Sequence, residues 1–215
     1  MRQPTRLGPA PESPERSQIG ARLREERERQ GISLREIASR IGVSKSLISQ
    51  IERDKVTPSV GTLWALVTQL GLTMGDVFPG EEAAAGAEVA RPSAPAGPTA
   101  TPQTRAVIDL ESGVRWERLT ADRDPLVEFL YVVYPVGATS CPEDSLMRHG
   151  GKEYGYVISG RLGVRVGFDE YELGPGGSIS FDSSSPHRLR TVGDRPVEAI
   201  WVVVGRQGDG RMASG

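Results

Sequence analysis

Residues 33–53 read Ser-Leu-Arg-Glu-Ile-Ala-Ser-Arg-Ile-Gly-Val-Ser-Lys-Ser-Leu-Ile-Ser-Gln-Ile-Glu-Arg, and the spacing predicts two short helices joined by a tight glycine turn. Ser33 followed by Glu36 is a capping box: the hydroxyl accepts from the Glu36 amide while the carboxylate reaches back to the Ser33 amide. Leu34, Ile37, Ala38 and Ile41 then fall at i, i+3, i+4 and i+7 and make one buried stripe. Gly42 can take the left-handed conformation that ends a helix, and Ser44 is placed to cap the next one. Ile48 and Ile51 anchor that second helix inward.

What remains outward on the second helix is Lys45, Ser46, Leu47, Ser49 and Gln50. A helix whose first turns carry small polar and basic side chains suits the major groove of a duplex. There Gln50 can bond adenine with two hydrogen bonds and Leu47 can meet a thymine methyl. Ser44 caps this set, and Arg35, Arg53 and Lys55 flank it as phosphate contacts, which set register without carrying sequence information. An ordinary helical hairpin with a solvated face is the alternative. The surroundings favour a bundle. Ile19 and Leu23 open an amphipathic helix that runs to about Gln30, before Gly31. Pro58-Ser59 opens another, with Leu63, Leu66, Val67 and Leu70 inward and Gly71 as its stop, and Thr73 to Asp76 reads as a further cap. Five helices in roughly sixty residues make a credible small domain.

Residues 19 to 78 resemble the helix-turn-helix domain of the phage-repressor-like, xenobiotic-response-element family of bacterial regulators, most specifically through the run from Ser44 to Glu52. The resemblance implies that the second and third helices are the reading unit and that the protein binds palindromic double-stranded DNA as a homodimer. Charge is distributed in keeping with this. Residues 1–79 hold 12 Lys/Arg against 9 Asp/Glu, and residues 80–215 hold 14 against 19, so a formal net charge of −2 conceals a basic first half.

The composition, 37% hydrophobic and 25% charged over 215 residues, is that of a globular protein of one large or two small domains. The single cysteine, Cys141, leaves no intramolecular disulfide framework and suits a reducing compartment; it reads as a small, half-buried residue. No apolar run has the length of a signal peptide core or a membrane span. The expectation is a soluble, cytoplasmic, nucleoid-associated protein with no membrane partner. Residues 1–16 and 207–215 read as disordered tails. Between residues 80 and 104, Ala, Gly and Pro fill 15 of 25 positions without an aromatic, Leu or Ile, which predicts a flexible linker. It separates a DNA-binding domain at 17–79 from a second domain at 105–206.

That second domain reads as short β-rich runs punctuated by glycine and proline: Val127–Tyr134, Tyr154–Ile158, Arg161–Val166 and Ala199–Val204. Many short strands imply a sandwich or barrel. Met147, His149 and Glu153 share parity, so on an unbulged strand they point to one face, and His187 can join them. Two imidazoles and a carboxylate match the facial triad of non-haem iron sites.

The same residues resemble the cupin family, whose first motif is matched by His149, Glu153 and Gly160, and its second by Gly174 to Phe181 with Pro186-His187. The family's first metal histidine falls at Met147, and the asparagine that often follows its last histidine falls at Thr191. Three protein ligands, His149, Glu153 and His187, then remain for a divalent metal such as iron or zinc. Alternatively they hydrogen-bond one another or an effector in the barrel mouth. Tyr131, Tyr156 and Phe181 are expected to line the effector pocket together with Met147 and the triad.

The fold expected is therefore a two-domain α + β chain: a five-helix helix-turn-helix bundle followed by an all-β cupin, a double-stranded β-helix or jelly-roll barrel. The function expected is a homodimeric transcription regulator whose barrel binds a small-molecule or metal effector, and not an enzyme. The rival is a mononuclear non-haem iron epoxidase, because a phosphonate epoxidase family also fuses a helix-turn-helix-like bundle to a cupin.

Overall fold

The computed structural model describes residues 19–78 and 97–205. The helices are α1 (Ile19–Arg29), α2 (Leu34–Ile41), α3 (Lys45–Ile51), α4 (Val60–Gln69) and α5 (Met74–Val77). The strands are β1 (Val107–Asp109), β2 (Arg115–Arg118), β3 (Val127–Tyr134), β4 (Lys152–Ser159), β5 (Leu162–Val166), β6 (Asp169–Leu173), β7 (Ser178–Asp182), β8 (His187–Thr191) and β9 (Val197–Val204). The tails expected at 1–16 and 207–215 lie outside the described residues, as does residue 80–96 of the expected linker; its remaining part closes a turn in which the Thr104 amide donates to Thr101 O at 2.9 Å.

The helix boundaries follow from local chemistry. The Ser33 hydroxyl accepts from the Glu36 amide at 3.1 Å, the Ser44 hydroxyl from the Leu47 amide at 3.1 Å, and the Ser59 hydroxyl from the Thr62 amide at 3.1 Å. Each satisfies an amide that the helix itself leaves without a partner. Gly42 sits at φ 74° and closes α2 onto the Ala38 carbonyl, a conformation that costs a Cβ-bearing residue more. The capping box at Ser33 is half formed. The Glu36 carboxylate turns to Arg40 at 2.6 Å instead of back to the Ser33 amide, because the guanidinium brings a full opposite charge to the bond and the amide does not.

Leu23, Ile37, Ile48, Ile51, Leu63 and Leu66 are fully buried and form the helical core. Inside it lies a pair that composition alone does not reveal. Arg27 of α1 binds Glu52, just past α3, at 2.6 and 2.8 Å, and also donates to Ile32 O at 2.9 Å. This fixes the end of α3 to α1.

The strands form a six-stranded sheet in the order β1-β2-β3-β9-β4-β7 and a three-stranded sheet in the order β6-β5-β8. All pairings are antiparallel. Side chains alternate: Leu130, Val132, Tyr134, Val157, Trp201 and Val203 of the large sheet are buried and meet Leu162, Val164 and Leu189 of the small one. β6 is exposed along almost its whole length, so it carries no apolar alternation for a sequence reading to detect.

The helical bundle and the barrel share one continuous core. Two amides of the helical bundle donate to the barrel side: Gly61 to Ser140 O at 2.8 Å and Gly75 to Glu128 Oε1 at 3.1 Å. In return Glu111 N donates to Pro58 O at 3.0 Å, and Arg123 pairs with Asp76. The sequence suggests two bodies tethered by a linker, whereas the fold seats α4 directly over the barrel.

Candidate functional site

Two sites emerge. The first is the outer surface of α2 and α3. Arg35, Ser44, Lys45, Ser46, Arg53 and Lys55 are exposed, and Ser49 and Gln50 are half-exposed. Gln50 Nε2 rests on Ser46 Oγ at 3.0 Å and Arg53 Nε on Ser49 O at 2.8 Å. Both contacts are to exposed groups and can be exchanged for contacts to DNA at small cost. Leu47 is the exception: it packs partly against the core, leaving only a portion of its side chain outward.

The second site is at the barrel mouth. His149 Nε2 lies 3.0 Å from Glu153 Oε1, and His187 Nε2 lies 3.1 Å from the same oxygen. The three side chains are 1%, 4% and 0% exposed. They do not share one strand. β4 begins only at Lys152, after a glycine pair in which Gly151 takes φ 103°; Met147 and His149 sit on the preceding segment. The Met147 amide donates to His187 O at 2.8 Å and the His187 amide to Met147 O at 2.8 Å, and this pairing brings the two halves of the site together.

The environment of each ligand atom fixes its chemistry. His149 Nδ1 faces Gly150 O at 3.0 Å and His187 Nδ1 faces Ser185 O at 2.9 Å. A carbonyl only accepts, so both Nδ1 atoms carry protons and donate. Each Nε2 faces Glu153 Oε1, as a lone pair while its ring is neutral and as a donor once the ring takes its second proton. Burial favours the neutral acid of Glu153, but hydrogen bonds from His149 and His187 more than offset it and hold the carboxyl well below the usual range. Burial likewise disfavours charge on His187, and the bond and charge of Glu153 prevail, raising its pKa.

Three buried acceptor-type atoms, His149 Nε2, His187 Nε2 and Glu153 Oε1, thus converge without a well-aligned hydrogen-bond partner. A cation belongs among them, as a shared proton or as a metal. The donor set fits a metal: two imidazoles and one carboxylate, each imidazole oriented by a carbonyl on its far nitrogen. Glu153 Oε2 is held in turn by Trp201 Nε1 at 2.6 Å. Trp201 reaches it because residue 155 is glycine; a Cβ there would collide with the indole ring.

Phe181 stands near the triad, its ring 5.1 Å from that of His187, and Met147 lines the cavity. Tyr131 and Tyr156 lie elsewhere. They pair through Ile200 across the outer face of the large sheet, where Tyr156 is 50% exposed; strand parity turns them away from the pocket that was expected to hold them. Tyr134 points inward instead, fully buried, with burial first and the charge of Glu153 second pushing its hydroxyl pKa up. The Thr191 hydroxyl caps the Pro135 carbonyl at 2.7 Å, a structural role. Cys141 is buried and its thiol donates to Ser145 O at 3.2 Å.

A contact from outside the barrel completes the site. Trp64 of α4 stacks on His149, with ring centroids 4.1 Å apart and planes 5° from parallel. Nothing in the sequence links residue 64 to residue 149. A small cavity of about 20 Å³ beside this stack is lined by Val60, Trp64, Tyr134, Met147, Glu153 and Trp201, among others.

With this geometry in hand, family models match in two places: "Helix-turn-helix" over residues 23–77 and "Cupin domain" over residues 130–203. The chain joins a helix-turn-helix domain to a cupin domain. Curated relatives have the same extent. The HTH-type transcriptional regulator PuuR of Escherichia coli (strain K12) is 28% identical over 170 residues, 78% of this chain and 84% of that protein. The HTH-type transcriptional regulator SutR of the same organism is 24% identical over 181 residues, 83% and 90% of the two chains. A solved structure of an HTH_3 family transcriptional regulator from Vibrio cholerae superposes with a TM-score of 0.61 at 23% identity, covering 88% of this chain and 96% of that one. The cupin domain supplies the His149-Glu153-His187 triad, a set able to hold a metal ion. No helix among the described residues is long and apolar enough to cross a membrane.

Proposed function

We propose that this protein is a sequence-specific, DNA-binding transcription regulator acting at the nucleoid in the cytoplasm, and that its cupin domain holds the effector. The observation that carries this reading is the capped α2–α3 pair, which presents Lys45, Ser46, Ser49 and Gln50 outward at the start of α3. Support comes from relatives that share both domains and are named regulators. The operator is palindromic and the protein reads it as a homodimer, because two half-sites require two reading helices at a fixed spacing.

The second copy binds the outer face of the large sheet. There Phe129, Val202 and Tyr154 form one cross-strand row and Tyr131, Ile200 and Tyr156 the next; Tyr154, Tyr156 and Ile158 are each more than two-fifths exposed. A contiguous apolar face of this kind is unusual on a monomer.

In the effector site His149, Glu153 and His187 would hold a divalent metal, which supplies a Lewis-acidic centre with open positions for a small ligand. The same triad is the basis for an iron oxygenase reading. Relatives named as regulators weigh against it, as does the stacking of Trp64 over the site where a substrate would enter. The deciding experiment is selection of bound genomic fragments at physiological salt, beside elemental analysis of protein purified without chelator. A discrete two-fold symmetric site supports the regulator; uniform binding to every duplex overturns it, and stoichiometric iron with oxygen consumption favours the enzyme.

A further inference from the structure

We propose that Trp64 makes α4 the lid of the triad site, so that metal occupancy in the cupin and docking of the helix-turn-helix domain strengthen one another. The inference rests on the reading of His149, Glu153 and His187 as a metal site, and it adds how that site is connected to the DNA-reading domain.

The triad side chains are between 0% and 4% exposed, and part of what covers them comes from α4. The Trp64 ring lies flat on His149, the ligand that sits on an irregular segment ahead of β4. An imidazole that must present Nε2 to a metal loses affinity when its ring is free to turn. Beyond its contacts with Glu153 and His187, this ring is held by the Gly150 carbonyl on Nδ1 and by the Trp64 face. Trp64 is therefore a positioning residue. It acts on the metal through His149.

The seat of α4 is close-fitting. The Gly61 amide donates to Ser140 O at 2.8 Å, and a Cβ at residue 61 would stand 3.1 Å from both Cys141 Cβ and Met147 Cγ. The other side of α4 supplies Leu63, Leu66 and Val67 to the core that carries α2 and α3. An ion enters or leaves only when α4 lifts, and an ion that fixes His149 fixes the surface on which Trp64 rests. Linkage makes these effects equal and reciprocal.

The test is hydrogen exchange on the full chain, with and without Co²⁺, read at the α4 amides and above all at Gly61. The visible absorption of Co²⁺ reports ligation independently. The expected result is a cobalt absorption band with slowing of Gly61 exchange by roughly tenfold, within the usual range of coupling between sites. Trp64→Ala should keep the band, weaken Co²⁺ binding and abolish the slowing, and Trp64→Phe should restore much of it. Gly61→Ala, which leaves the ring in place but crowds its seat, serves should Trp64→Ala unfold: Co²⁺ binding weaker than in the wild type supports the lid, and unchanged binding overturns it. A normal band with unchanged Gly61 exchange in the wild type, or equal slowing in Trp64→Ala, overturns the lid while leaving the metal site intact. Absence of any band, identical to His187→Ala, overturns the metal site and the lid with it.

Discussion

The guanidinium of Arg27 grips both carboxylate oxygens of Glu52, at 2.6 and 2.8 Å, with both side chains less than a tenth exposed. Glu52 directly follows α3, the helix proposed to read DNA, so the orientation of α3 depends on a partner twenty-five residues earlier. Removing one member of such a buried pair strands the other charge. Glu52→Ala should destabilise the protein by roughly 3 kcal/mol, read by thermal or chaotropic unfolding. The double variant Arg27→Leu/Glu52→Leu should recover much of that loss; a cost equal to the sum of the two single variants would show that the pair acts through packing alone.

Lys45 and Gln50 are outward on α3, and base-edge contacts carry discrimination of ~1–3 kcal/mol each. The variant Lys45→Ala/Gln50→Ala should lose operator preference by about thirtyfold or more while its circular dichroism and unfolding midpoint remain those of the parent. Competition between operator and random duplex measures it. Arg53→Ala should instead weaken binding to all duplexes alike and flatten the salt dependence.

Trp201 Nε1 donates to Glu153 Oε2 at 2.6 Å. Trp201→Phe keeps the ring volume but removes this donor, and should weaken divalent metal binding by ~10–100-fold, measured by calorimetry with Zn²⁺ or Co²⁺. Met147→His places an imidazole where a thioether now lines the cavity and should tighten binding by roughly tenfold, since a borderline ion prefers nitrogen. Equal affinities in all three proteins would exclude the triad as the metal centre.

Gly155 lies under the Trp201 ring, where a Cβ cannot be accommodated. Gly155→Ala should cost ~1–3 kcal/mol through forced displacement of the indole and should also weaken metal binding, because the displaced ring no longer holds Glu153.

Ile200 stands between Tyr131 and Tyr156 on the outer sheet face. Ile200→Asp should convert the proposed dimer to monomer in sedimentation and weaken operator binding, since an interface must then desolvate an unpaired carboxylate. A dimer that persists would place the second copy on another surface.

The helices were legible because their signals are local. Ser33, Ser44 and Ser59 cap where the sequence predicts, and the apolar stripe of α4 is buried as read, while that of α2 is buried at Ile37 and Ala38 and half-buried at Leu34 and Ile41. The barrel strands with apolar alternation, β3, β4, β5 and β9, were legible too, whereas β6 has no buried face to announce it. Errors arose where a side chain's direction depends on register. Tyr131 and Tyr156 are aromatic residues next to inward-facing neighbours, and a shift of one position separates pocket from surface. Tyr134, two positions in phase with Leu130 and Val132, was the tyrosine that parity would have chosen.

The sequence by itself determined the two domain types, the capped α2–α3 pair and the identity of the three converging side chains His149, Glu153 and His187, because helix caps, hydrophobic period and motif spacing act over a few residues. Tertiary structure alone decided that His149 and Glu153 meet from different segments, that Trp201 orients the carboxylate across Gly155, and that Trp64 closes the site from the other domain. Those contacts join residues 48 to 85 positions apart or depend on a turn at Gly151. No local propensity encodes such distances: they are set when one continuous core packs the helices onto the barrel.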